Sequence, residues 1–393
     1  MKIINRSITS LLLMGTAAAY LPSNAAAQSI FKVVPTPNEN FNNGLNAISA
    51  SSPSDIWAVG QSAIHFDGTK WTAFPVPMIK GDNTSSLGGV VDISPTEAWT
   101  AGGVNLGEAN PGQVIERWDG TQWNIVTGPT FAAGDDPDPK AMTATSANDI
   151  WAIGSLLSNG GEILNFLFEH WDGTSWTATA IPTNDAFLFG ASADATNDVW
   201  AVGFTGPEND SSRTLVMHYD GTSWKTTPSP SVGSGASQLN GVVALAPNDV
   251  WAVGFSTPVR PPKSAATLTL IEHWDGTSWT VVSSPNVGPN SVFQSNRLEG
   301  ITAISPTDIW AFGSYFLANG SGNQKTLLLH YDGTAWSIAP SPNPTKGDFL
   351  SDILSAGVAV SPNDVWIVGS EDEPPHDGTL AIHSSPAGGA GGN

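Results

Sequence analysis

Two short sequence blocks alternate along almost the whole chain, and this repetition constrains the fold more than any other feature. The first block reads Asp-Val-Trp-Ala-Val-Gly at residues 249–254 and recurs with a mean spacing of about 51 residues. A period of this length exceeds that of helical or leucine-rich solenoids and is typical of a propeller blade with extended loops. The seven tryptophans of the block are Trp57, Trp99, Trp151, Trp200, Trp251, Trp310 and Trp366.

The second block follows each of the first six copies and reads His-Trp-Asp-Gly-Thr-Ser-Trp at residues 273–279. Asp-Gly between two apolar runs predicts a tight hairpin of primed geometry, with positive φ at both central residues. Each unit therefore contains four predicted strands, which in the fifth unit span 241–245, 250–255, 267–274 and 277–283. The first two strands are almost continuously apolar, as expected where a blade is covered on both faces.

The seventh unit lacks its fourth strand, because Ser-Ser-Pro at 384–386 stands where the Asp-Gly turn would be. Residues 31–38, Phe-Lys-Val-Val-Pro-Thr-Pro-Asn, match the fourth-strand text at 279–286, Trp-Thr-Val-Val-Ser-Ser-Pro-Asn. A ring in which the N-terminal strand completes the last blade leaves no free sheet edge. The sequence therefore predicts an all-β, seven-bladed β-propeller of four-stranded blades closed in this way.

The N-terminal segment has the pattern of a secretory signal. Lys2 and Arg6 precede an apolar run from Leu11, and Ala25 to Ala27 offer a cleavage site. We expect a signal peptide at 1–27, a single propeller domain at 28–385 and a disordered Gly-rich tail at 386–393. The mature protein is predicted to be secreted, extracellular or periplasmic, after cleavage near Ala27, and with no cysteine it must fold without disulfides.

The charge balance bears on the choice of partner. The formal net charge is -21, with 14 basic and 35 acidic side chains. Nucleic acid and anionic lipid bind through Lys and Arg, so neither is an expected partner. The apolar run near the N-terminus is too short to cross a bilayer, which argues against a membrane span. Carbohydrate or protein ligands stay compatible with this surface, and the oligomeric state is left open.

The repeat resembles a group of bacterial secreted proteins built from tandem D-[IV]-W-A-V-G and H-[WY]-D-G-T-x-W units, over residues 31–383. The Trp-Asp-Gly-x-x-Trp hairpin is also similar to that of seven-bladed bacterial propeller lectins and, more distantly, of tectonin-type lectins. The resemblance implies the propeller fold. It also implies a function in binding sugars in pockets between blades.

Residues repeated in every blade are interpreted as scaffold, because seven copies of a catalytic group make little mechanistic sense. This interpretation covers the repeated tryptophans and the histidines His65, His170, His218, His273, His330 and His383. The alternative is one weak sugar pocket per blade. The aspartates that precede the second strand are expected to accept hydrogen bonds from turn amides; they are Asp55, Asp149, Asp198, Asp249, Asp308 and Asp364.

Unrepeated residues supply the candidate sites. The predicted long connections between the second and third strands, and between blades, share one face of the ring and suit recognition. Aromatic and basic residues expected on exposed loops there are Phe187, Phe189, Arg260, Lys263, Phe293, Arg297, Tyr315 and Phe316. A calcium site is conceivable at the acidic groups Asp135, Asp136 and Asp138 or Glu371, Asp372 and Glu373, the second group lying near His376 and Asp377. Solvated loops are the alternative for both groups.

Three functions are compatible with this pattern. The leading hypothesis is a secreted binding or scaffold module that recognises a carbohydrate or protein through the variable-loop face. The alternatives are an extracellular hydrolase or lyase acting on polysaccharide, and a purely structural envelope or surface protein. No catalytic residue is assigned, because motifs such as the Gly-x-Ser-x-Gly elbow and His-Glu-x-x-His are absent from the sequence.

Overall fold

The computed structural model describes residues 30–38, 43–77, 86–105, 111–132, 134–157, 163–183, 185–206, 211–258, 266–288, 294–316, 323–346, 350–373 and 376–385. These residues form seven antiparallel sheets of four strands, which confirms the predicted seven-bladed propeller. No helix among them has the length and apolar character needed to cross a membrane. The expected signal segment, its cleavage site near Ala27 and the tail at 386–393 lie outside the described residues.

The blades are numbered 1 to 7 in the chain order of their innermost strands, and the four strands of each blade are named a to d from the axis outwards. The β numbers run along the chain. Strands a are β2 (Leu45–Ser52), β6 (Ser86–Ser94), β10 (Asp136–Ser146), β14 (Ala186–Ala195), β18 (Ser237–Ala246), β22 (Ser295–Ser305) and β26 (Asp352–Ser361). Strands b are β3 (Asp55–Gly60), β7 (Glu97–Asn105), β11 (Asp149–Leu157), β15 (Asp198–Thr205), β19 (Asp249–Ser256), β23 (Asp308–Phe316) and β27 (Asp364–Glu373).

The outer strands complete each sheet. Strands c are β4 (Ala63–Phe66), β8 (Pro111–Trp118), β12 (Ile163–Trp171), β16 (Arg213–Tyr219), β20 (Leu268–Trp274), β24 (Gln324–Tyr331) and β28 (His376–Ser385). Strands d are β5 (Trp71–Phe74), β9 (Trp123–Ile125), β13 (Trp176–Pro182), β17 (Trp224–Thr226), β21 (Trp279–Val282), β25 (Trp336–Ile338) and β1 (Ile30–Val33). Successive strands a contact one another, and β26 contacts β2, so the ring is closed around its axis.

Aromatic side chains fill the wedge between neighbouring blades. The strand-d aromatic ring of each blade meets the strand-b tryptophan of the preceding blade edge-on, with centroids 4.9–5.8 Å apart and interplanar angles of 69–83°. Aromatic pairs favour this arrangement over face-to-face stacking. The pairs are Trp71–Trp366, Trp123–Trp57, Trp176–Trp99, Trp224–Trp151, Trp279–Trp200, Trp336–Trp251 and Phe31–Trp310.

The predicted closure by the N-terminal strand is confirmed. Strand β1 pairs antiparallel with β28, and Phe31 takes the place of the strand-d tryptophan with 5% of its surface exposed. The Asn38 side-chain oxygen accepts a hydrogen bond from the Thr379 backbone N–H at 2.8 Å. Asn286 and Asn343 accept equivalent bonds in blades 5 and 6, from Thr269 and Thr326, at 2.9 and 2.8 Å. Closure therefore reproduces an ordinary blade in detail.

The turn between strands c and d differs from the predicted primed hairpin. Four residues connect Phe66 to Trp71, and only the glycine has positive φ, 89° at Gly68. The side chain of Asp67 accepts hydrogen bonds from the backbone N–H groups of Thr69 and Lys70, at 2.8 and 2.9 Å. These bonds hold the turn without the left-handed aspartate that a primed two-residue turn requires.

The aspartates that open strand b do not bind turn amides as expected. In six blades the carboxylate lies 2.5–2.8 Å from the Nε2 atom of the strand-c histidine, and that ring packs on the strand-b tryptophan with centroids 4.0–4.6 Å apart. The expectation was wrong because the imidazole lies directly across the strand pair. The pairs are His65–Asp55, His170–Asp149, His218–Asp198, His273–Asp249, His330–Asp308 and His383–Asp364.

Blade 2 preserves this contact with different residues. Glu97 and Arg117 replace the aspartate and histidine and form an ion pair of 2.9 Å. The guanidinium of Arg117 lies 5.3 Å from the centre of the Trp99 ring, where the other blades stack their histidine. Because acid and base change together while the stacking persists, we interpret the pair as a lock between strands b and c.

Blade 4 adds a second carboxyl to this lock. Strand a bulges just before its turn to strand b, and at this bulge Ser51 and Thr145 donate their hydroxyls to Asp55 and Asp149. Asp194 occupies the same position in blade 4. Burial, together with the adjacent Asp198, raises the pKa of Asp194 to about 6. At neutral pH the two carboxyls therefore repel each other.

Replacing Asp194 with Thr, the residue found in blade 3, should stabilise the protein. An acid whose pKa is raised on folding destabilises the folded state progressively as the pH rises from its unfolded pKa, near 4, to its folded pKa of about 6. We expect the variant to gain about 1 kcal/mol in chemical unfolding at pH 8, a value discounted for solvent screening of this half-buried group, and almost nothing at pH 4. The reverse exchange, Thr145→Asp, should lose stability at pH 8, and equal effects at both pH values would contradict the assignment.

Candidate functional site

Each strand a contains a second β-bulge close to its first residues. The pairing with strand b shifts by one residue immediately after a buried leucine, for example between Leu239 and Gly241 in blade 5. The same shift occurs in all seven blades at equivalent positions. Bulges of this kind redirect a side chain out of the ladder and are common beside binding sites.

Two rings of residues result, and together we call them the axial rings. The inner ring contains the bulged residues Asn46, Gly88, Lys140, Phe189, Asn240, Glu299 and Ser355. The outer ring lies two residues earlier and contains Gly44, Ser86, Asp138, Phe187, Gln238, Arg297 and Ile353. The position between the rings is buried and is leucine in every blade except blade 3, where it is Pro139.

The axial rings border the axis at one face of the propeller. Strands a begin on the face that carries the b–c and d–a connections, and every member of the rings except Asn240 is half-buried or exposed. Since the strands a form the innermost layer of a closed ring, these residues lie near the axis at this face, and the side chains of Asn46 and Asn240 reach across to strand a of the next blade. A constant backbone thus presents a different residue in almost every blade.

Blade 4 contributes an aromatic sector. The Phe187 and Phe189 rings are parallel, with centroids 6.2 Å apart and an interplanar angle of 3°. Both stack on Phe204 of β15, at 5.1 and 5.9 Å, and Phe204 is buried. The two half-buried rings are therefore held in fixed orientation by a third ring beneath them.

Blade 5 places two carboxamides beside the aromatic sector. The Gln238 side chain donates to the Asn240 side-chain oxygen at 2.7 Å. Asn240 in turn donates to the Leu298 carbonyl and to a Glu299 carboxyl oxygen of blade 6, both at 2.9 Å. The hydrogen bonds cross the blade boundary, so the polar groups of this sector are ordered in advance of any ligand.

The charged members of the axial rings differ in their partners. Lys140 and Asp138 form an ion pair of 2.8 Å. Burial raises the pKa of Glu299, while the nearby Arg297 opposes this shift. The Arg297 guanidinium lies 4.0 Å from the centre of the Phe255 ring. The rings thus combine aromatic, amide and charged groups within three consecutive blades.

The residues predicted to lie on loops are on strands instead. Phe187 and Phe189 belong to β14, Arg297 to β22, and Tyr315 and Phe316 to the end of β23, so the expected loop location was wrong. The strands extend further toward this face than the apolar pattern of their sequence predicts. Phe187, Phe189 and Arg297 come together in the axial rings. Arg260, Lys263 and Phe293 lie outside the described residues.

The acidic groups considered for calcium lie mostly on strands. Asp136 and Asp138 are in β10, where Asp138 binds Lys140. Glu371, Asp372 and Glu373 are in β27, which pairs closely with β28, and the Asp372 carboxylate accepts a hydrogen bond from the Ser351 N–H at 2.7 Å. Over the described ranges, no three His, Asp or Glu side chains are grouped so that they could hold a metal ion. Asp135 accepts a bond from the Ala132 N–H at 3.3 Å.

Sequence reasoning missed most of the axial rings, including Asn46, Lys140, Gln238, Asn240 and Glu299. The aligned repeats nevertheless contain a pattern that distinguishes these positions. When the seven units are aligned on the buried leucine, that position is nearly constant, whereas its two flanking positions vary in size, polarity and charge. Constancy at one repeat position indicates a role in the shared core, and variation at its two neighbours indicates residues that the core does not constrain.

Comparison with known proteins identifies relatives by fold. No family model matches the chain, and no curated protein does. An ulvan lyase described as polysaccharide lyase PL25, bound to -[GlcA(1-4)Rha3S]-, has 11% identity and a TM-score of 0.56, covering 91% of this chain and 94% of that one. YCF48 bound to D1 peptide has 14% identity and a TM-score of 0.52, covering 90% and 96%. U3-55K has 9% identity and a TM-score of 0.51, covering 91% and 98%. Sequence identities this low show only that the chain shares the propeller fold with these proteins.

Proposed function

We propose that this protein is an exported binding module that holds a carbohydrate chain at the axial rings, on the face that carries the b–c and d–a connections. The observation that supports the proposal is the side-by-side arrangement of an aromatic sector in blade 4 and ordered carboxamides in blade 5. Saccharides present an apolar C–H face and a rim of hydroxyl groups. A binding site for them needs both a flat apolar surface and fixed hydrogen-bonding groups.

The aromatic sector meets the first requirement. Phe187 and Phe189 are backed by the buried Phe204, so a sugar ring stacking on them would not have to order them first. Preorganised side chains reduce the entropic cost of binding. Gln238 and Asn240 meet the second requirement, because their orientations are set by hydrogen bonds to each other and to blade 6.

The backbone of the strands a is less suited to a peptide ligand than to a carbohydrate. Peptides that recognise sheets commonly add a strand to an exposed edge and use a continuous ladder of N–H and C=O groups. Each strand a has two bulges, one near its start and one before its turn to strand b. The inner edge therefore offers only short ladders. The fold is shared with a protein bound to a peptide as well as with one bound to a polysaccharide, so a peptide remains an outcome of the test.

The test is binding of the mature protein to a glycan array, with a peptide array run in parallel. Phe189→Ala and Gln238→Ala should each weaken binding to the selected glycan about tenfold, equivalent to about 1.4 kcal/mol. Ile338→Ala is the control, because that exposed side chain lies on the outermost strand of blade 6. Melting temperatures should be measured for all variants. Binding to peptides alone, or to neither array, would disprove the proposal.

A polysaccharide-acting enzyme is a second candidate, supported by Glu299. This carboxyl lies in the inner ring, and burial raises its pKa, which is the direction needed for a group that delivers a proton near neutral pH. If the protein cleaves the glycan it binds, Glu299→Gln should abolish release of new chain ends and retain binding. Release that survives the substitution would rule out Glu299 as the proton donor.

A further inference from the structure

Arg297 is one of six Lys and Arg side chains that form no ion pair among the described residues. The chain has 35 acidic and 14 basic side chains, so a basic group has many potential carboxylate partners. Within the parts of the chain that the structure describes, however, no carboxylate oxygen lies within ion-pair distance of Arg297, whose side chain is exposed. The other cation of the axial rings, Lys140, is paired with Asp138 at 2.8 Å.

The position of the Arg297 guanidinium is nevertheless constrained. It lies over the Phe255 ring of blade 5 at 4.0 Å, and Phe255 is itself buried. Stacking on an aromatic face orients the guanidinium plane and leaves its N–H groups directed outward. A planar fork fixed in this way matches two oxygens of a carboxylate or another oxyanion.

Glu299 does not form an ion pair with this fork, although Arg297 is near enough to oppose the rise in the pKa of Glu299. Glu299 lies two residues along the same strand, but one of its oxygens accepts the hydrogen bond from Asn240 at 2.9 Å. The carboxamides of blade 5 therefore engage the glutamate in place of the guanidinium. As a result, the outer ring presents a constrained positive group next to the amides of blade 5, on the side opposite the aromatic sector of blade 4.

We propose that Arg297 selects an anionic sugar residue, binding the carboxylate of a uronate or the oxygens of a sulfate ester. This inference rests on the proposed carbohydrate-binding function and specifies the chemistry of the ligand. The sugar ring stacks on Phe187 and Phe189, its hydroxyls bind the carboxamides, and its acidic group meets the guanidinium. The overall negative charge of the protein repels polyanions at long range, so recognition depends on this local group and weakens as salt screens it.

The experiment uses four pairs of immobilised probes: oligogalacturonate and oligoglucuronate, each with its carboxyl-reduced form, and sulfated galactan and sulfated fucan, each with its desulfated form. We expect at least one acidic member to bind at least about tenfold more tightly than its neutral counterpart. The uronate and sulfate pairs distinguish the two sources of the oxyanion. Equal binding of both members of every pair that binds would overturn the inference while leaving carbohydrate binding intact. Absence of binding to any glycan would overturn both.

Substitutions test the residue itself. Arg297→Gln should lower binding to the acidic probe at least about tenfold and remove the difference between acidic and neutral members of the pair. Arg297→Lys keeps the charge but loses the planar fork, so it should recover only part of the affinity. Lys225→Gln is the matched control, because it removes one positive charge from the exposed side chain of β17, the outermost strand of blade 4. If Lys225→Gln weakens binding as much as Arg297→Gln, the effect is general electrostatics and the inference is wrong.

Discussion

Removal of residues 28–38 should abolish folding of the propeller. The truncation deletes β1, exposes the edge of β28 and leaves Trp310 without the Phe31 ring that packs against it at 5.0 Å. It also removes Thr36 and Asn38, whose side chains hydrogen-bond to Thr379 at 2.6–2.8 Å. An unpaired strand edge beside an uncovered core tends to associate with other chains. We expect insoluble or oligomeric protein by size-exclusion chromatography, without a cooperative thermal transition.

Two smaller changes separate the contributions to closure. Phe31→Ala should cost about 3–5 kcal/mol as a core truncation. Asn38→Ala should cost about 1–3 kcal/mol, because a buried backbone N–H loses its acceptor, and Asn286→Ala in blade 5 is the matched control with the same contact. Addition of a synthetic 28–38 peptide to the truncated protein should restore monomeric folding. A truncated chain that melts like the mature protein would disprove the closure.

The fold could be predicted because its determinants are repeated. Trp251 and its equivalents each occupy the same wedge between blades, so the same packing pattern is repeated seven times in the sequence. The closure was visible because residues 31–38 carry the strand-d pattern, including the asparagine that binds a strand-c threonine. Even the Asp–His lock left a trace in the sequence, since Glu97 and Arg117 replace both members together in blade 2.

The candidate site was only partly predictable, for a physical reason. Strand β18 was expected to begin at Gly241 but begins at Ser237, because Gln238 and Asn240 interrupt the apolar pattern that marks a strand. These polar residues are tolerated there because they hydrogen-bond to each other and, through Asn240, to blade 6. Pattern analysis identifies residues that serve the core, whereas a residue released from the ladder by a bulge leaves no periodic signal.

Buried acids between the blades also escaped sequence analysis, and they set the pH dependence of stability. Glu116, Glu169 and Glu272 lie on strands c at a position that is apolar in the other four blades, and each is at most 1% exposed. Burial raises the pKa of Glu116 and Glu272 to about 8 and that of Glu169 to about 7. Burial and the neighbouring Asp55 raise the pKa of Asp92 to about 8.

Stability should therefore fall as the pH rises from 5 to 8. In the unfolded chain these carboxyls lose their protons near pH 4 to 4.5, whereas in the folded protein they keep them to about pH 7 or 8. The folded state thus binds more protons across this interval. Each of these groups therefore lowers the free energy of unfolding as the pH rises toward its pKa in the folded protein. Hydrogen bonds within the turns lower the pKa values of Asp67 and Asp275 to about 2. These two groups make the folded protein more stable as the pH rises, but only below about pH 4.

Glu116 offers the sharpest test, because no described residue donates a hydrogen bond to its buried Oε2 atom. Glu116→Ile introduces the residue found at this position in blades 1 and 7, Ile64 and Ile382. We expect a gain of more than about 2 kcal/mol in urea unfolding at pH 8 and a much smaller change at pH 5. Asp377→Asn, which alters an exposed carboxylate, should shift neither value. A melting temperature that is flat between pH 5 and 8 in the parent protein would mean that these acids are ionised in the folded state, and that water or a cation reaches the space between the blades.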